Sequence, residues 1–117
     1  MVVQVYRWSP RGSFGHFAVK LSDCTYLSFW PINNYNIKDA SNLRSTASTW
    51  NDDSQTDRLI EGRGQDEVIE IRKPLNEQRM KEFWDKHKIK NFSIFHNCAI
   101  MTLNLIKAGD IDDDDPE

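Results

Sequence analysis

Basic residues are not in excess in this chain, cysteine is scarce, and no long apolar run occurs. Each shortage closes off a class of protein. Lys and Arg number 15 against 18 Asp and Glu, for a formal net charge of −3, and no Lys/Arg cluster is longer than two residues. Such a chain has no basic footprint for a phosphate backbone, so nucleic acid is not an expected partner. The only cysteines are Cys24 and Cys98. They permit at most one disulfide and no disulfide framework. The cysteines and histidines show neither C-x-x-C nor H-x-x-x-H spacing, so no metal and no cofactor is expected. The opening segment Met1 to Trp8 lacks the basic start and apolar stretch of a signal peptide, and no segment is apolar enough to span a bilayer. The expectation is a cytoplasmic protein without stable membrane insertion, with export by a non-classical route left open.

What is present fits one globular unit. With 117 residues, 38% of them hydrophobic and 28% charged, the chain is the size and composition of a single folded domain. That domain is expected over residues 1–109, followed by an acidic, solvated tail over 110–117. Residues 2–8 combine strong β-formers on both faces and read as a strand buried on both sides. His16–Leu21 and Thr25–Trp30 are two further β-rich runs, with Ser22, Asp23 and Cys24 between them as a three-residue hairpin loop. From Pro31 to Asp66 the chain turns rich in Asn, Ser, Thr and Asp with few spaced apolar residues. This reads as a long loop excursion. Val68–Ile71 is a short strand. Asn76 caps a helix running to about Lys88 that buries Met80, Phe83, Trp84 and His87. Phe92–Phe95 returns extended to Asn97, which caps a last helix from Cys98 to Ala108, stopped by Gly109. That helix has little polar surface and is expected at the centre of the domain.

Cys98 thus falls on the first turn of a helix. Free backbone N–H groups and the positive end of the helix dipole favour a negative sulfur there, and the same N–H groups can hold an oxyanion. The plain alternative is a small apolar residue that starts a core helix. A cysteine nucleophile needs a base, and His16, after Gly15 at the mouth of a loop, is the candidate. Its plain alternative is a strand-edge histidine. His96, two residues before Cys98 on an extended approach from which its ring is expected to point away, is a minor alternative, and His87 belongs to the packed face of its helix. A third group usually orients the imidazole. With a three-residue loop, Ala18 faces Ser28 and His16 faces Trp30, so Ser28 shares a face with His16. A two-residue loop reverses that parity.

The segments Gly15-His16-Phe17-Ala18-Val19, Tyr26-Leu27-Ser28-Phe29-Trp30 and Asn97-Cys98-Ala99 resemble the circularly permuted papain-like enzymes, the branch of NlpC-type peptidases and lecithin:retinol acyltransferase relatives, in which histidine precedes cysteine. The resemblance covers roughly residues 12–30 and 92–109. It implies an α+β papain-like fold, an antiparallel sheet packed on the helix that carries Cys98. It also implies Cys98 as nucleophile and His16 as base, and it puts Ser28 where acyltransferase relatives have a second histidine. The expected activity is acyl transfer or hydrolysis through a thioester, first on a peptide-like amide. A lipid acyl hydrolase or acyltransferase is the alternative within the fold, and an inactive binding module the alternative outside catalysis. Tyr26, Trp30 and Trp50 are candidate substrate-binding residues, and Trp50 is the expected tether of the 31–66 excursion over the site.

Overall fold

Alternating side chains in the first quarter of the chain build the sheet on which everything else is hung. The computed structural model describes residues 2–9, 15–31, 48–90 and 97–110. Strands β1 (Val3–Trp8), β2 (His16–Lys20), β3 (Tyr26–Pro31), β4 (Ser48–Asn51) and β5 (Glu67–Ile71) form one antiparallel sheet in the order β4-β3-β2-β1-β5. Helix α1 (Ser54–Glu61) lies between β4 and β5, and α2 (Glu77–His87) and α3 (Cys98–Gly109) follow. The fold is α+β, with a five-stranded antiparallel sheet and three helices.

The β2–β3 hairpin has the expected three-residue loop. The Leu21 carbonyl accepts from Cys24 N–H at 3.0 Å, and Leu21 N–H donates to the Thr25 carbonyl at 2.8 Å. Cys24 takes φ 73°, the left-handed residue that closes such a turn. The register is therefore Ala18 opposite Ser28 and Lys20 opposite Tyr26. This parity divides the strands into two faces. Val3, Val19, Leu21, Leu27 and Phe29 pack with Met80 and Trp84 of α2 and Met101 and Leu105 of α3. Tyr6, Trp8, Ala18 and Tyr26 form a second buried cluster, and alternation puts His16, Ser28 and Trp30 on the same side as these four.

Two expectations change here. Helix α3 is not at the centre: it buries Met101, Thr102, Leu105 and Gly109, whereas Ala99, Leu103 and Lys107 are exposed. Its mostly apolar sequence conceals a one-sided helix lying against the sheet. Gly109 is the last residue of α3 and not its stop, since Asp110 is the cap; the glycine serves packing, because a Cβ there would stand 2.6 Å from Met80 Cγ. The glycine lets α3 approach α2 closely, and its carbonyl accepts from Asn76 N–H at 2.7 Å.

The larger change concerns the excursion. Residues 48–51 are β4, paired to β3, and residues 54–61 are α1. Asp53 caps α1 by accepting from Thr56 N–H at 2.8 Å, and Gly62, at φ 79°, ends it. These capping residues are visible in the sequence, but the helix has eight residues and no continuous apolar stripe. Leu59 of α1 is exposed. The remainder of the excursion (32–47), the Phe92–Phe95 approach, His96 and the tail from residue 111 lie outside the described residues.

Candidate active site

Gly15, at φ 81°, swings the chain into β2 so that His16 is its first residue, opposite Trp8 of β1. The ring is 1% exposed. Its Nε2 lies 2.8 Å from Ser28 Oγ and 3.2 Å from Asp57 Oδ2. Ser28 is the neighbour that strand parity calls for. Asp57, delivered from α1 into the buried face of the sheet, is the residue that sequence reasoning missed.

The Asp57 carboxylate is the hub of the site. Oδ2 accepts from Tyr26 Oη at 2.6 Å and Ser28 Oγ at 2.7 Å in addition to His16. Oδ1 accepts from Trp30 Nε1 and from Asn51 Nδ2, each at 2.8 Å. Burial pushes the Asp57 pKa up, but the His16 hydrogen bond and charge and the Ser28 and Tyr26 hydroxyls outweigh it and bring it to about 2. An ionised carboxylate only accepts hydrogen bonds, so every neighbour must donate. Ser28 therefore gives its proton to Asp57 and receives the Nε2–H of His16 on the same oxygen. Tyr26 is held as a neutral phenol, its pKa raised by burial first and by the Asp57 charge second.

This arrangement gives the two ring nitrogens of His16 different roles. Nε2–H is committed to Ser28 and Asp57, and Nδ1 is the nitrogen left to give or take a proton. Nδ1 is buried and has no hydrogen-bond partner in closed geometry. The remaining group that acts on the ring is Cys98, half-buried at the start of α3. Burial alone would lower the ring's pKa. The Cys98 charge, the Asp57 hydrogen bond, a Cys98 hydrogen-bond contribution and the Asp57 charge oppose it in that order and raise the pKa to about 9. Cys98 thus acts on the charge of the ring, although no hydrogen bond joins it to Nδ1.

Asn97 positions Cys98 and also alters one expectation. Its Oδ1 accepts from Ala99 N–H and Ile100 N–H, each at 3.1 Å. Two of the amides assigned to an oxyanion are therefore occupied by the cap.

The other predicted site residues divide. Tyr26 and Trp30 are buried donors to Asp57, so they belong to the frame around His16 and offer little surface to a substrate. Trp50 is not brought to the site. It pairs with Phe29, and its neighbour Asn51 pairs with Ser28, so alternation points Trp50 to the opposite face. There the Lys88 ammonium lies 4.4 Å from its ring centroid. His87 stacks on Phe83 at 3.9 Å and takes no part in the site. Cys24 is exposed in the hairpin loop. Among the described residues no group of three His, Cys, Asp or Glu side chains could hold a metal ion, and no helix is long and apolar enough to cross a membrane. No family profile, curated protein or solved structure matches the chain.

Proposed function

We propose that this protein is a thiol hydrolase or acyltransferase of papain-like type, with Cys98 as nucleophile, His16 as acid and base, and Asp57 as the group that orients His16. The observation that carries the reading is the division of the His16 ring, with Nε2 committed and Nδ1 without a hydrogen-bond partner. A buried carboxylate and a serine occupy Nε2, which leaves an unpartnered Nδ1 and a helix-start cysteine acting on the same ring. An α+β fold with an antiparallel sheet and a histidine that precedes the cysteine in sequence is compatible with the permuted papain-like arrangement.

The chemistry follows from proton positions. The Cys98 sulfur attacks the carbonyl carbon of an amide or ester and forms a C–S bond, while the carbonyl oxygen becomes an oxyanion that the Cys98 N–H can stabilise. The proton that the Cys98 thiol gives up is held on His16 Nδ1, and His16 donates it to the leaving nitrogen or oxygen as that bond breaks, so that a thioester remains. In the second half, His16 Nδ1 takes a proton from water, or from an acceptor alcohol or amine. The new nucleophile attacks the thioester, and the sulfur leaves with its electron pair. Asp57 is saturated with donors and does not take the proton; it keeps Nε2–H in place and stabilises the imidazolium. A peptide-like amide is the first choice of substrate, and a lipid acyl ester is the alternative within the same mechanism.

The test is covalent trapping. Incubation with p-nitrophenyl acetate should leave an acetyl group on Cys98, located by peptide mass mapping, and His16→Ala should slow its appearance by a factor of 100 or more, as for removal of a general base (~10²–10⁴). Iodoacetamide at mildly acidic pH should label Cys98 before Cys24. A wild-type protein that labels neither faster than a free thiol would be a binding module rather than an enzyme.

A further inference from the structure

The His16 imidazole stands between two indoles. Trp8 on β1 is its register partner, and the β2–β3 register carries Trp30 to the other side. Trp30 stacks on the ring with centroids 4.0 Å apart and planes 18° apart; Trp8 lies at 5.5 Å, tilted by 47°. Neither indole is free to move. Trp30 Nε1–H is committed to Asp57 Oδ1, and Trp8 Nε1–H donates to the Arg63 carbonyl at 2.9 Å, just beyond α1.

An imidazole has two edge-on orientations related by a half turn about Cβ–Cγ. In the observed one, Nε2 meets Ser28 and Asp57, and Nδ1 is left for the sulfur. The half turn would replace Nε2 by Cε1 and Nδ1 by Cδ2, so that Asp57 would face a C–H and the sulfur would have no base. To make that turn the ring must stand upright out of its plane, into space that Trp30 fills at stacking distance. The same indole also grips the carboxylate that bonds Nε2.

Resting on the reading of His16 as the base for Cys98, we infer that Trp30 is a positioning residue that locks the imidazole with Nδ1 toward the sulfur. Trp30 contacts the ring and its carboxylate, and it touches neither the substrate nor the reacting atoms. Trp8 is the opposing jaw, tied to the segment after α1.

Trp30→Phe keeps an aromatic face and removes the N–H; Trp30→Leu removes both. In p-nitrophenyl acetate turnover, Trp30→Leu should lower kcat about a hundredfold, the scale of a misplaced reacting group, with KM unchanged. Trp30→Phe should lower it about tenfold, the scale of one lost hydrogen bond. Ring-nitrogen NMR of His16 gives a readout independent of turnover: one set of ring signals in the wild type and in Trp30→Phe, and a second set from the turned ring in Trp30→Leu. Should Trp30→Leu fail to fold, the Trp30→Phe comparison decides through kcat and KM. A raised KM with kcat and ring signals unchanged would make Trp30 a substrate contact and overturn the proposal. Absence of acetyl-Cys98 in the wild type would instead defeat the thiol-enzyme reading, and the ring signals would still judge whether Trp30 locks His16.

Discussion

At the central strands β1, β2 and β3 the two faces of the sheet both carry buried side chains, yet they are held by different physics. On the α2/α3 face, Val19, Leu21, Leu27 and Phe29 meet Met80, Trp84, Met101 and Leu105, and the stabilisation is removal of apolar surface from water. On the other face, His16, Tyr26, Ser28 and Trp30 converge on a single ionised carboxylate. The first face tolerates exchange of one hydrocarbon for another of similar volume. The second is a network whose members have fixed donor and acceptor roles, so that loss of one leaves others unsatisfied. The same strands therefore carry a packing core on one side and a device for holding one imidazole on the other.

The sharpest way to break this contrast is to delete the hub of each face. Asp57→Ala should destabilise by about 3–5 kcal/mol, as expected for removing one partner of a buried ion pair, and should abolish acetylation of Cys98. Asp57→Asn is the finer probe. Its amide oxygen can serve either the three donors at Oδ2 or the two at Oδ1, and its NH₂ must then face donors at the other position. Leu105→Ala should lower stability by a similar amount, about 2–5 kcal/mol, while the folded fraction keeps wild-type reactivity at Cys98. Chemical denaturation together with iodoacetamide rates separates the two outcomes. Equal loss of reactivity in Leu105→Ala would show that the faces are not independent.

Titration sharpens the comparison next, because among the described residues only the polar face contains buried ionisable groups. Asp57 is depressed from 3.8 to about 2, so its contribution to stability is complete above pH 3.8 and is lost as pH falls through about 2. His16 is raised from 6.5 to about 9, so its contribution is complete below pH 6.5 and is lost as pH rises through about 9. Stability from this network should be greatest between about pH 4 and 6.5. Because the Cys98 charge is the largest influence raising the His16 value, Cys98→Ala should move the alkaline decline to lower pH. Urea midpoints across pH for the wild type and Cys98→Ala would show this, and an unmoved alkaline limb would detach Cys98 from the ring.

Smaller effects follow. Ser28→Ala removes one of two partners of Nε2 but leaves Asp57 in reach, so turnover should drop about tenfold, the scale of a hydrogen bond of ~1 kcal/mol. At the hairpin, Cys24 holds a left-handed conformation that costs a side chain about 1 kcal/mol relative to glycine. Cys24→Gly should raise the unfolding midpoint slightly and leave acetylation of Cys98 unchanged. A loss of turnover in that variant would mean that the wrong thiol had been chosen.

Much of this arrangement is legible locally. Alternation announces β1, β2 and β3, and the spacing of Ser22, Asp23 and Cys24 sets a register that puts Ser28 beside His16. Asn76 and Asn97 mark the starts of α2 and α3, which places Cys98 on a first helical turn. Asp57 was hidden because it is one acid among 18 and sits in a segment without apolar periodicity. The capping signals of Asp53 and Gly62 could have located its helix, but nothing local distinguishes a buried carboxylate from a solvated one. Tyr26 and Trp30 were legible as aromatic strand residues and were assigned to substrate, since their polar tips have no visible partner until Asp57 is in place.

The sequence by itself determined β1, β2, β3 and β5, the hairpin loop between β2 and β3, the capped starts of α2 and α3, and hence the candidacy of Cys98 and His16. Each of these rests on interactions between residues a few positions apart, which composition and spacing record. Only the tertiary structure decided which nitrogen of His16 is free and that Asp57 commits the other. The donors to that carboxylate come from positions 6 to 41 residues away in the chain, and a buried charge acquires its role from the whole set of groups that surround it.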